Sequence, residues 1–106
     1  MLFFNKDPYY DNKKGMRYEK LNVKLAINFY EKAISQNFEG NHPYDRLAII
    51  YRKQKDYQNE IRVLNKAIEV FENLEKTSPR KDIKPKLEKF RIRLEKATKL
   101  MEKHKR

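Results

Sequence analysis

Few residues in this chain could make or break bonds, and they are scattered. The only histidines are His42, beside Pro43, and His104, near the C-terminus. Ser35 and Ser78 are the only serines, neither is near a histidine in sequence, and there is no cysteine. Nucleophilic catalysis needs a base within reach of its nucleophile. A metal site needs His, Cys, Asp or Glu at ligand spacing, such as His-x3-His. Neither arrangement occurs. Two glycines in total cannot build a phosphate-cradling loop. His42 reads as a surface or helix-capping residue and Ser78 as an N-cap or turn residue. The sequence therefore predicts a non-enzyme, with no catalytic, metal or cofactor-binding residues and no cofactor.

Charge is the stronger signal. The chain has 26 Lys and Arg against 15 Asp and Glu, a formal +11 at pH 7. Residues 75–106 hold 13 cations and 5 acids, net +8; residues 1–74 hold 13 and 10, net +3. Within the C-terminal third, Glu88, Glu95 and Glu102 recur every seven residues, and Glu95–Lys99 and Glu102–Arg106 are i, i+4 pairs in the favourable order. The remaining cations fall in columns: Lys86 and Arg93 on one flank, Lys89, Lys96 and Lys103 on another, with Lys81 and Lys84 before them. Such columns serve solubility, or meet an acidic protein surface or phosphates. No exposed aromatic or amide is interleaved with them, and no recognition helix follows a helix-turn-helix spacing. Contact with nucleic acid would thus be non-specific.

These residues must be positioned by a small framework. At 106 residues the chain suits a single domain, since domains run to about 100–200 residues. Apolar and charged residues each make up 39%, a thin core but too many Tyr, Phe, Leu and Ile for a disordered tail. No window approaches the roughly 18 apolar residues of a membrane span, and the N-terminal Leu2-Phe3-Phe4 is too short for a signal-peptide core. The mature protein is expected to be the whole chain, soluble and cytoplasmic, with no membrane partner.

With two Gly, four Pro and apolar residues three and four apart, the chain predicts an all-α fold. Asp7-Pro8 starts a first helix running to about Lys20. Asn22 caps a second, Val23 to about Gln36, with Val23, Ala26, Ile27, Tyr30, Ala33 and Ile34 on one face. Gly40 suits left-handed backbone before His42-Pro43 opens a third helix, to about Gln54. Asp56 caps a fourth, Tyr57 to about Lys76, burying Ile61, Leu64, Ala67, Ile68, Phe71 and Leu74. Residues 77–84 are a loop, and a fifth helix starts near Pro85. Its Leu87, Phe90, Leu94, Ala97 and Met101 step by 3-4-3-4. That seam either covers the fourth helix or pairs with another chain; at under three heptads it favours the cap.

The chain also matches itself. Ala26-Ile27, Tyr30 and Lys32-Ala33-Ile34 reappear as Glu60-Ile61, Leu64 and Lys66-Ala67-Ile68, all offset by 34 residues. Tyr44-x2-Leu47-Ala48-x2-Tyr51, followed by Tyr57, Leu64, Ala67 and Ile68, resembles the tetratricopeptide repeat family, whose 34-residue unit is a helical hairpin. Glu60 stands where that family prefers a small residue, Lys55 where it prefers Gly, and Glu72 where it has a helix-ending Pro. The resemblance implies an apolar segment over 1–7, a stack of two antiparallel hairpins at 8–41 and 42–76, the loop at 77–84, and a basic capping helix at 85–106. It implies close helix contact at Ala48 and Ala67, with Tyr44, Tyr51 and Tyr57 filling the wedge. It also implies a partner-binding groove lined by the first helix of each unit. That groove would present Lys13, Arg17 (or Met16) and Lys20, then Asp45, Ile49, Arg52 and Lys53.

Three functions fit. One is an adaptor that binds an acidic protein or peptide through the basic groove and the C-terminal cations Lys86, Lys89, Arg93, Lys96 and Lys103. Another is a nucleic-acid- or nucleoprotein-associated factor, such as an inhibitor of a mobile element or phage, acting through the C-terminal helix. The third is a structural module that forms homo-oligomers.

Overall fold

The computed structural model describes residues 7–105. The expected Leu2-Phe3-Phe4 segment and the Glu102–Arg106 pair lie outside them. The described residues form five helices and no strand: α1 (Pro8–Tyr18), α2 (Val23–Ser35), α3 (His42–Lys53), α4 (Tyr57–Thr77) and α5 (Ile83–His104). No described helix is long and apolar enough to cross a membrane.

Three starts are fixed by the residues that predict them. The side chains of Asp7, Asn22 and Asp56 accept hydrogen bonds from the backbone N–H of Tyr9 (2.9 Å), Leu25 (3.1 Å) and Asn59 (3.2 Å). Each satisfies one N–H that has no partner inside its helix. The fifth start differs. α5 begins at Ile83, two residues before the expected Pro85, and Asp82 makes no capping bond. Pro85 falls in the first turn, where its missing N–H costs nothing. Asp82 instead takes Arg80 and Lys86, at 2.9 and 2.8 Å, and these two cations hold its carboxyl well below the usual range.

The turns correct one expectation. Left-handed backbone occurs at Asn37 and Lys55, each at φ 58°, and not at Gly40. Lys55 sits just past α3 in a Schellman arrangement: its N–H reaches Arg52 O at 2.9 Å, and the Asp56 N–H reaches Tyr51 O at 2.8 Å. The backbone requirement there prevails over the side-chain preference for Gly. Ser78 proves to be a turn residue, its Oγ accepting from the Arg80 N–H.

The chain divides into two compact units, Met1–Leu47 and Ala48–Arg106, with the division inside α3. In the first, α1 runs antiparallel to α2. Near one end Gln36 Nε2 donates to Asp11 Oδ2 at 2.8 Å. Further along, Gly15 faces the Tyr30 ring. Ala26, Tyr30, Ala33 and Ile34 are buried as predicted, whereas Ile27 is half-buried and Val23 exposed. Phe38 and Tyr44 close this core, and the Tyr44 hydroxyl donates to Phe38 O at 2.7 Å.

In the second unit α5 runs antiparallel to α4. Phe71 meets Phe90 edge-on, with ring centroids 5.2 Å apart, Glu72 pairs with Arg91 at 2.8 Å, and Tyr57 meets His104 at 3.1 Å. Ile83, Leu87, Phe90 and Ala97 are buried, and Leu94 and Met101 half-buried. The heptad seam of α5 is thus covered by α4 of the same chain. The buried face of α4 is wider than expected. Leu64, Ala67, Phe71 and Leu74 are buried as expected, but so are Val63 and Val70, while Ile61 and Ile68 are half-buried.

Candidate functional site

Each unit contains a concavity lined by charged side chains. In the first unit, Glu19 follows the last turn of α1 and is the hub. Arg46 of α3 forks onto it, with Nε 3.1 and 2.9 Å from its two oxygens and Nη2 also bonded. The Tyr30 hydroxyl donates to Glu19 Oε1 at 2.7 Å. His42 completes the cluster: its Nδ1 is 2.9 Å from Asn12 Oδ1 and its ring meets Tyr30 edge-on. With Met16 and Lys20, these four residues line an open hollow of about 320 Å³. His42 is therefore half-buried in a network, not a surface residue.

The charges here satisfy one another. Burial would raise the Glu19 pKa, but the bonds from Arg46 and Tyr30 outweigh it and hold the carboxyl below its ordinary range. Burial, and then the bond to Glu19, push Tyr30 far above an ordinary phenol. His42 is lowered by burial, with Arg46 acting the same way and Glu19 and Asp45 opposing. On acidification the unfolded chain takes up a proton at His42 before the folded one does. Stability is therefore lost as pH falls from about 6.5 toward the folded value. Glu19 adds a second loss below about 4.5, because its carboxylate must protonate within the fold. Thermal melts across this range are expected to show both declines. His42→Asn, whose amide can replace Nδ1, is expected to remove the upper decline alone; an unchanged profile would show that His42 does not titrate on unfolding.

The second concavity gathers predicted residues. Ala48, Ile49, Arg52 and Lys53 from α3, Glu60 from α4 and Arg93 from α5 line a hollow of about 360 Å³. Ala48 and Ile49 give it an apolar surface; three cations and one acid give it a net charge of +2. Glu60 decides its chemistry. This residue is 1% exposed, and its Oε2 accepts from Arg52 Nε at 2.8 Å and Nη2 at 2.6 Å. Its Oε1 is buried with no hydrogen-bond partner among the described residues.

Comparison with protein-family models, curated proteins and solved structures found no match.

The predicted site residues are distributed unevenly. Ile49, Arg52 and Lys53 converge in the second hollow. Lys20 edges the first, while Lys13 and Arg17 are exposed outside it and Asp45 is half-buried, accepting from Asn41. On α5, Lys89, Lys96 and Lys103 are exposed, and Glu95 pairs with Lys99 at 3.8 Å. Two residues expected there as unpaired cations are not. Lys86 is bound to Asp82, and Arg93 is half-buried in the wall of the second hollow. Glu60 and Glu19 were missed because a charged residue on an amphipathic helix reads as solvated. For Glu60 the repeat pattern carried a signal, since its position wants a small side chain. Among the described residues no group of three or more His, Cys, Asp or Glu could hold a metal ion.

Proposed function

We propose that this chain is a non-enzymatic, tetratricopeptide-like interaction module of the cytoplasm that binds an acidic protein segment. Its binding site is the hollow between Arg52, Lys53, Glu60 and Arg93. One observation carries this reading: cations from two helices converge on an apolar surface beside a buried carboxylate. The apolar part offers contact area, and the net positive wall selects against basic partners. The exposed cations of α5 add long-range attraction that salt screens.

The test uses a fluorescein-labelled peptide of Glu, Asp and Ser. Lys53 is exposed and makes no ion pair among the described residues, so Lys53→Glu should leave the fold intact. It is expected to weaken binding roughly three- to tenfold at low salt, about 1 kcal/mol. Arg52→Lys keeps the charge beside Glu60 but loses the fork, and should weaken binding less. Unchanged affinity in Lys53→Glu would rule out this hollow.

A nucleic-acid reading has one observation of its own. α1 exposes Tyr9 and Tyr10 alongside Lys13 and Arg17, and Lys14 lies over the Tyr10 ring at 5.4 Å. Aromatics interleaved with cations suit single strands. A single-stranded oligonucleotide that displaces the peptide at equal charge concentration would favour that reading.

A further inference from the structure

The orphaned oxygen of Glu60 narrows the partner further. A buried carboxylate oxygen without a donor costs on the order of 1–3 kcal/mol or more. Arg52 engages only Oε2, so the fold carries this cost at a residue in the wall of a hollow. The missing donor has a definable character. A lone carboxylate would invite a cation, but Arg52, Lys53 and Arg93 share the wall and disfavour a second ammonium or guanidinium. A neutral donor is left, carried by a molecule whose own charge is negative. A peptide laid along Ala48 and Ile49 brings such a donor at every residue, in its backbone N–H.

We propose that Glu60 is the specificity-determining residue of the site: its Oε1, covered in the free chain, accepts a backbone N–H of an acidic peptide segment once side chains of the wall move aside to admit it. The inference rests on the peptide-binding reading above and adds the orienting bond. Acidic side chains alone would slide among the cations. One N–H fixed on Glu60 sets the register, and a ligand lacking that donor leaves the oxygen unpaired. Sites built around a buried polar group discriminate strongly for this reason.

The probe is acetyl-Glu-Asp-Glu-Asp-Glu-amide, together with analogues N-methylated at one amide each, titrated against the full chain and against Glu60→Leu. Leu matches the volume of the buried side chain and leaves Arg52 partly in solvent, so the variant is expected to fold. With the parent chain, N-methylation at one position is expected to weaken binding at least tenfold, well beyond its effect elsewhere. With Glu60→Leu that position should cost no more than the others. In Glu60→Gln the single amide oxygen is expected to face the Arg52 donors, which puts an NH2 group where Oε1 stands; the preference should again be lost, and this variant serves if Glu60→Leu does not fold. If N-methylation costs the same in all proteins while binding still depends on Lys53, Glu60 does not read the peptide, and only this inference falls. If the unmodified peptide does not bind at millimolar concentration, the peptide-binding reading falls with it.

Discussion

Phe90→Ala is expected to lower the unfolding free energy of the chain by about 3–5 kcal/mol. Phe90 is 1% exposed and meets Phe71, which is fully buried, edge-on. Truncation removes the transfer free energy of a whole ring, loses the aromatic pair, and leaves a cavity that the surrounding core must collapse into. Domains of this size have only about 5–15 kcal/mol in total, so this single change takes a large share. Its consequence extends to the site, because Arg93 lies one turn beyond Phe90 on the same helix. Urea unfolding followed by far-ultraviolet circular dichroism measures the loss. A shift below about 1 kcal/mol would mean that α5 is an appendage and not part of the core.

Gly15→Ala is the second large effect, and here the sign is informative. Alanine in place of glycine inside a helix ordinarily stabilises by about 1 kcal/mol. At Gly15, however, an added Cβ would lie 2.4 Å from two ring atoms of Tyr30, far inside normal contact distance. The ring cannot simply step aside. Its hydroxyl is bonded to Glu19, which Arg46 holds in turn. Overpacking should therefore outweigh propensity, with a net loss of about 1–3 kcal/mol. In a Tyr30→Ala background the same substitution should become neutral or stabilising. A stabilising Gly15→Ala in the parent chain would show that α1 and α2 separate at little cost.

Much of this framework is legible in the sequence because it depends on local rules. Asp7, Asn22 and Asp56 announce helix starts through short side chains that readily reach nearby backbone N–H groups, and each accepts from one. The apolar stripes of α2, α4 and α5 follow helical spacing. What the sequence leaves hidden depends on neighbours distant along the chain. Val63 and Val70 of α4 are buried beside the expected stripe, which the pattern within α4 does not announce. Glu19 becomes a hub because Tyr30 and Arg46 arrive from other helices. Arg93 shares a column with Lys86 in sequence, yet one joins a hollow and the other an Asp82 cluster. Glu60 is the most instructive case. Spacing places it on the buried side and charge argues for solvent; burial prevails, leaving one oxygen unpartnered.

The most direct test is nuclear magnetic resonance mapping of isotope-labelled full chain titrated with acetyl-Glu-Asp-Glu-Asp-Glu-amide at low salt. Saturable shifts are predicted at the backbone amides of Ala48, Ile49, Arg52, Lys53, Glu60 and Arg93, weakening as salt is raised. Shifts spread instead along Lys89, Lys96 and Lys103, or no shifts at millimolar peptide, would contradict the assignment of this hollow as the binding site.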